Sequence, residues 1–324
     1  MICNARRPLL TALLALSILV GVGCKQNNNA HHTGKPLIVA TIHPLAQLTR
    51  QLVGDTATVV CLVPPGVTPH GYEITTDQRA DVADADLLVS VGLGFDNWIH
   101  RAGPIEQSRV ATFVFAHALD LDPPDHSTSD DSHDAHDHHH HGPVDPHLWL
   151  DPIHVRQSLP LLADVLTEAI SDPDANLAIE QNLAQLQQSL TDFDADARRA
   201  LAPYRGRHIV TFHPAFDRFC QRYGLAPAVT LKPVEGPSEI TPARLHEVIQ
   251  QMKRERITAL FIEPQFSTDA ARTIADETGA AVLELDPLGS PDHPDRKTYL
   301  QMMRYNLNTI LDGLARSAQP PDPS

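Results

Sequence analysis

Short runs of aliphatic and β-branched residues alternate along this chain with stretches in which apolar positions recur every three to four residues. In the first half the strand-like runs are 37–42, 57–63, 86–91 and 109–115, with helical stretches at 44–53 and 77–84. The second half repeats the scheme: runs at 208–212, 226–231, 259–262 and 281–285, and helical stretches at 214–223, 241–255, 267–278 and 298–317. Strands alternating with helices build parallel sheets covered by helices. The pattern therefore predicts an α/β protein of two (β/α) lobes, each with a mostly parallel four-stranded sheet.

A different pattern separates the halves. From 174 to 201 Leu177, Leu183, Leu186, Leu190 and Phe193 recur at roughly helical spacing, with Gln and Asp between them and no Gly or Pro. At a rise of ~1.5 Å per residue such a helix reaches about 40 Å, a stiff connector that permits only small lobe movements. The expected organisation is an N-terminal lobe over 36–173, a linker helix over 174–202 and a C-terminal lobe over 203–324. Within the first lobe, 117–143 is dense in His and Asp and nearly free of apolar residues after Leu121, so it is expected to be a disordered surface loop.

The N-terminus carries a leader. Arg6 and Arg7 precede an apolar run, Leu9 to Val22, too short to span a bilayer and ending in small residues before Cys24. Residues 1–23 read as a signal peptide, and Cys24 as the acylated cysteine of a bacterial lipoprotein, although Gly21 stands where such signals usually carry Leu. Polar residues 24–35 would then be the tether to an anchored, extracytoplasmic body in the cell envelope. Cys61 and Cys220 fall in different expected lobes and are read as two buried thiols.

Charge and composition turn this architecture toward chemistry. A formal charge of −15 argues against nucleic-acid binding. The 19 histidines are the anomaly, and imidazole is a common ligand for borderline metals. In open parallel sheets ligands bind beyond the carboxyl ends of the strands. Four metal-capable side chains follow expected strands: His70 in VPPGVTPHGYE, His147 in VDPHLWLDP, His213 in VTFHPAF and Asp286 in LELDPLG. Singly, each reads as a hydrogen-bonded turn residue. Two from each half at equivalent positions, each beside a stiffening proline, point to a cation held between the lobes.

These segments also carry a resemblance. PPGVTPHGYE at 64–73, DPHLWLDP at 145–152, TFHPAFDRFCQRYGL at 211–225, EGPSEITP at 235–242, FIEPQFS at 261–267, LDPLG at 285–289 and YLQMMRYNL at 299–307 occur in this order. Together they resemble the zinc- and manganese-specific substrate-binding lipoproteins of bacterial ABC importers, the group with a TroA-like fold. The resemblance implies a metal in the cleft on His70, His147, His213 and Asp286, a rigid backbone helix between the lobes, a monomer, and an ABC permease with its ATPase as partners. Manganese members tend to carry Glu where this chain has His213.

Three imidazoles and one carboxylate suit tetrahedral Zn²⁺ better than Mn²⁺, which prefers more oxygen ligands, so zinc is the expected cargo and manganese the alternative. His126, His133, His136, His138, His139, His140 and His141 are expected to act as a low-affinity zinc collector beside the cleft, against the reading of a solvated insertion. Glu263 and Glu235 fall near expected strand ends at the cleft, to be read either as carboxylates that orient a ligand imidazole or as solvated helix caps. His43 is expected to be packed or hydrogen-bonded, and His154 and His246 to face solvent. A zinc hydrolase is the rival class, since His70-Gly-Tyr-Glu73 is formally an HxxE pair; a four-ligand site and the lack of HExxH count against it. The expectation is a transport protein without enzymatic activity, whose affinity falls below about pH 6 as the imidazoles protonate.

Overall fold

The first sheet is assembled from four short parallel strands, β1 (Leu37–Ala40), β2 (Thr58–Cys61), β3 (Leu87–Ser90) and β4 (Ala111–Val114), in the order β2-β1-β3-β4. β1 and β3 are buried throughout, as expected of central strands covered on both faces. Helices α1 (His43–Val53) and α2 (Thr76–Asp84) make the crossovers. A capping box starts α2, with Thr75 accepting from the Gln78 N–H and the Gln78 side chain answering the Thr75 N–H. These coordinates come from a computed structural model, which describes residues 34–102, 110–121, 144–231 and 240–318.

The second sheet repeats the topology with β5 (Val210–Thr211), β6 (Val229–Thr230), β7 (Ala259–Ile262) and β8 (Ala281–Glu284), ordered β6-β5-β7-β8 and again all parallel. α5 (Asp217–Tyr223), α6 (Pro242–Glu255), α7 (Asp269–Thr278) and α8 (Tyr299–Ala318) cover it. Gly313 lets α8 lie against β7: a Cβ there would stand 2.5 Å from the Phe261 ring and 3.0 Å from Ala259.

Between the sheets run α3 (Pro152–Ile170) and α4 (Pro173–Leu201). Both start on an aspartate: Asp151 accepts from Ile153 and His154, and Asp172 from Asp174 and Ala175. The sequence pattern does not single out α3, because Pro160 interrupts it; here Pro160 sits on an exposed turn. α4 is the expected connector with a corrected face. Leu177 is 57% exposed, and Ala175 and Ile179 are buried in its place, ahead of Leu186, Leu190 and Phe193.

Both lobes belong to one unit, Thr33–Ser324, and one apolar core runs through α4 from the first lobe into the second. Buried polar contacts tie them. The Trp149 indole N–H donates to the Pro287 carbonyl at 2.7 Å, the Tyr299 hydroxyl donates to the Trp149 carbonyl at 2.7 Å, and His43 meets the Lys297 carbonyl at 3.1 Å. Cys61 and Cys220 are free thiols; Cys220 is buried, whereas Cys61 is only partly so, and burial pushes its thiol up to about 12. No helix among the described residues is long and apolar enough to cross a membrane.

Candidate metal centre

Three loops at the carboxyl ends of strands deliver the imidazoles. His70 lies between β2 and α2, His147 immediately precedes the 3₁₀ turn Leu148–Leu150 that leads into α3, and His213 follows β5 in extended backbone before the turn Pro214–Phe216. The His147 Nε2 stands 3.3 Å from the His70 Nε2 and 3.3 Å from the His213 Nε2, and one ligand nitrogen from each ring lies within 4.8 Å of the other two. Zn–N bonds of about 2.0–2.1 Å put neighbouring nitrogens of a tetrahedral site about 3.3–3.4 Å apart, so two edges of the triangle already have the length a zinc site requires.

Carboxylates on the far side of two rings set their tautomers. Asp145 accepts from the His147 Nδ1 at 2.7 Å, and Glu263 from the His213 Nδ1 at 2.5 Å. With both Nδ1 positions protonated, the Nε2 atoms face one another as lone pairs. Converging lone pairs repel; a cation between them converts the repulsion into coordination.

The surroundings are dry. His147 is 1% and His213 8% exposed, whereas His70 is only partly buried and forms the open side. Phe95, Trp149, Phe266 and Leu288 line a small pocket around the three rings. Phe95 meets His70 edge-on at 4.9 Å between centroids, and Phe266 meets His213 at 5.4 Å. Burial, reinforced by the neighbouring imidazoles His147 and His213, pushes the His70 pKa down to about 3. Burial also lowers His147, against the pull of its hydrogen bond to Asp145. His70 therefore stays neutral, the form that binds metal, well below neutral pH, and His147 is biased the same way.

Asp286 departs from expectation. Among the described residues, the cluster of mutually close ligand atoms contains the three imidazoles and no carboxylate. The Asp286 Oδ1 accepts the N–H groups of Leu288 at 3.0 Å and Gly289 at 2.8 Å, and its Oδ2 is paired with Arg296 at 3.2 Å. A guanidinium and two amides hold the carboxylate that the sequence assigns to the metal.

Glu263 lies where an orienting carboxylate is needed, 2% exposed beside His213. Glu235, Cys24 and His126, His133, His136 and His138 to His141 lie outside the described residues. Glu73, the acid of the formal HxxE pair, is exposed and does not join the cluster. His246 is exposed; His154 is half-buried against Asp151, so it does not simply face solvent, and His43 is buried on the Lys297 carbonyl.

Sequence reasoning missed Asp145, two residues before His147, where its side chain also takes the His147 backbone N–H at 3.0 Å. The local signal was an Asp-Pro-His turn. It missed Arg218 as well, which reaches from α5 of the other lobe to the Asp145 carbonyl at 3.0 Å.

The profile of a family described as zinc-uptake complex component A, periplasmic (ZnuA), matches residues 38–313. A putative metal-binding protein of Thermotoga maritima is 32% identical over 279 residues, covering 86% of this chain and 92% of its own. The zinc-binding lipoprotein AdcA of Streptococcus pneumoniae is 29% identical over 302 residues, 92% of this chain, which spans 59% of that longer relative. A crystal structure of ZnuA matches with a TM-score of 0.70 at 27% identity, covering 86% of this chain and 99% of that one. These relatives are metal-binding and transport proteins, so the hydrolase reading falls. Two parallel sheets, a connecting helix and a histidine cluster at the strand ends meet in one conclusion: this chain belongs to the ZnuA family of zinc-uptake binding proteins, with the TroA-like fold.

Proposed function

We propose that the protein is a lipid-anchored, extracytoplasmic solute-binding protein that captures Zn²⁺ on His70, His147 and His213 and delivers it to an ABC permease driven by its ATPase. The supporting observation is the pair of 3.3 Å Nε2 separations centred on His147, with the Nδ1 atoms of His147 and His213 held by carboxylates. Three nitrogen donors favour zinc over manganese, which stands low in the Irving–Williams order and asks for more oxygen. Asp286 completes the coordination only by exchanging out of its bonds to Arg296, Leu288 and Gly289.

Release follows from the division of ligands. His70 and His147 come from the first lobe and His213 from the second, so a small separation by the docked permease leaves the ion with too few donors. The loop histidines 126–141 would collect zinc weakly beside this site and raise its local concentration.

Competitive Zn²⁺ and Mn²⁺ titration of the mature chain, with and without residues 126–141, tests the reading. One tight zinc that survives loop deletion and is lost in His213→Ala is expected. Tight binding that vanishes with the loop would make the protein a histidine-loop metal buffer instead.

A further inference from the structure

Arg296 lies in the connection between β8 and α8 and is 8% exposed, an unusual place for a guanidinium. Its Nη1 contacts both Glu284 and the Asp286 Oδ2, and its guanidinium lies 4.7 Å above the centre of the Tyr305 ring. The backbone beneath is equally constrained. Gly289 has φ +72, and a Cβ there would stand 2.7 Å from the Arg296 carbonyl oxygen. Asn306 accepts the Asp286 N–H at 2.8 Å and donates to its carbonyl at 2.7 Å. Arg296 is wedged against Asp286, and Asp286 cannot leave without giving up a buried ion pair and two amide hydrogen bonds.

We propose that Arg296 is a specificity-determining residue of this metal site, holding the Asp286 carboxylate out of the histidine triangle so that an incoming cation meets nitrogen donors alone. The inference rests on the zinc-capture reading and deepens it. Zinc is satisfied by three imidazoles and one exchangeable ligand. Manganese needs oxygen donors; Asp145 and Glu263 are already bonded to the rings, and recruiting Asp286 means breaking a buried ion pair. The guanidinium thus penalises the oxygen-seeking ion and leaves the nitrogen-seeking one nearly untouched.

The test uses the mature full-length chain with Zn²⁺ and Mn²⁺ titrated in the wild type, Arg296→Gln, Arg296→Lys, and each combined with Asp286→Asn. Arg296→Gln should raise Mn²⁺ affinity by about tenfold or more, the scale on which outer partners tune a site, while Zn²⁺ affinity moves by less than about threefold. The gain should disappear when Asp286→Asn is added, and Arg296→Lys, which keeps the charge, should retain the wild-type preference. With Co²⁺ as a spectroscopic probe, Asp286→Asn should leave the visible spectrum of the wild type unchanged and alter that of Arg296→Gln. A merely structural Arg296 would not produce that pairing.

An unchanged Zn/Mn preference in Arg296→Gln, or a gain that survives Asp286→Asn, overturns the proposal. If Arg296→Gln does not fold, Glu284→Gln serves, because it leaves Arg296 to Asp286 and should lower Mn²⁺ affinity; no change there overturns the proposal as well. Failure of the underlying reading looks different: zinc would remain tightly bound in His213→Ala. Zinc lost in His213→Ala with an unaltered preference in Arg296→Gln rejects the role of Arg296 alone.

Discussion

His147 and His213 reach the cleft from opposite lobes, and their Nε2 atoms meet 3.3 Å apart while each Nδ1 is held by a carboxylate behind it. The carboxylates matter as much as the rings. Without them either ring is free to rotate or to present a protonated Nε2, and the aligned lone pairs are lost.

Asp145→Asn and Glu263→Gln should each weaken zinc binding by about 10- to 100-fold without removing a ligand. Competition against a chelating dye measures this. Affinity unchanged in both variants would mean that the rings are oriented by packing against Phe95, Trp149 and Phe266 alone.

The metal-free protein should lose stability as the pH falls from about 6.5. Below that value the unfolded chain protonates His70, whose ordinary pKa is 6.5, whereas the folded chain keeps it neutral until about pH 3. The unfolded state therefore binds more protons across this window, and stability declines with falling pH. Burial depresses His43 and His147 in the same direction. Urea midpoints of chelator-treated protein from pH 7.5 to 4.5 should fall steadily, with a shallower slope in His70→Phe. The same burial alters the sequence-based expectation of zinc loss below pH 6, because protons do not compete for His70 until the solution is far more acidic. Zinc binding at pH 6 should release almost no protons from His70, which calorimetry in buffers of different ionisation enthalpy can read.

Trp149→Phe removes the indole N–H that crosses the cleft and leaves the buried Pro287 carbonyl without its donor. Loss of about 1–3 kcal/mol is expected. Because Pro287 adjoins Asp286 and Trp149 lines the histidine pocket, zinc should also dissociate faster, as stopped-flow chelation would record. A dissociation rate equal to the wild type would place the interlobe tie elsewhere, on Tyr299 or His43.

Gly313→Ala sets two opposing effects against each other. A helix interior gains about 1 kcal/mol from Ala over Gly. Here the new methyl would stand 2.5 Å from the Phe261 ring, and overpacking a core costs about 1–3 kcal/mol, so net destabilisation is expected. A higher melting temperature for this variant would show that α8 can shift off β7 without loss.

Which parts were legible before folding follows from how far each interaction reaches along the chain. Strand and helix identity is local, carried by apolar period and capping residues, so the eight strands among the described residues and the long connector α4 could be read from the order of residues. Even there the tertiary context trimmed the result. The run at 208–212 forms only the two-residue strand β5, Pro160 hid α3, and Leu177, two residues from both Ala175 and Ile179 and so about 200° round the helix from them, faces away from the buried side.

Strand ends are local too, and parallel-sheet topology places ligands beyond them; that is why His70, His147 and His213 could be picked out without coordinates. Asp286 occupies the equivalent position and still failed to join them. Its fate depends on Arg296, Asn306 and the amides of Leu288 and Gly289, partners assembled when α8 docks on β8. Asp145 and Arg218 were hidden for the same reason, since one orients a ring and the other reaches across from the opposite lobe. The order of residues determined two parallel sheets, a connecting helix and three histidines at strand ends, because these rest on short-range periodicity. The packing of one lobe on the other decided which nitrogens converge and which carboxylate is held away, because those choices depend on charges that meet only when distant segments are buried together.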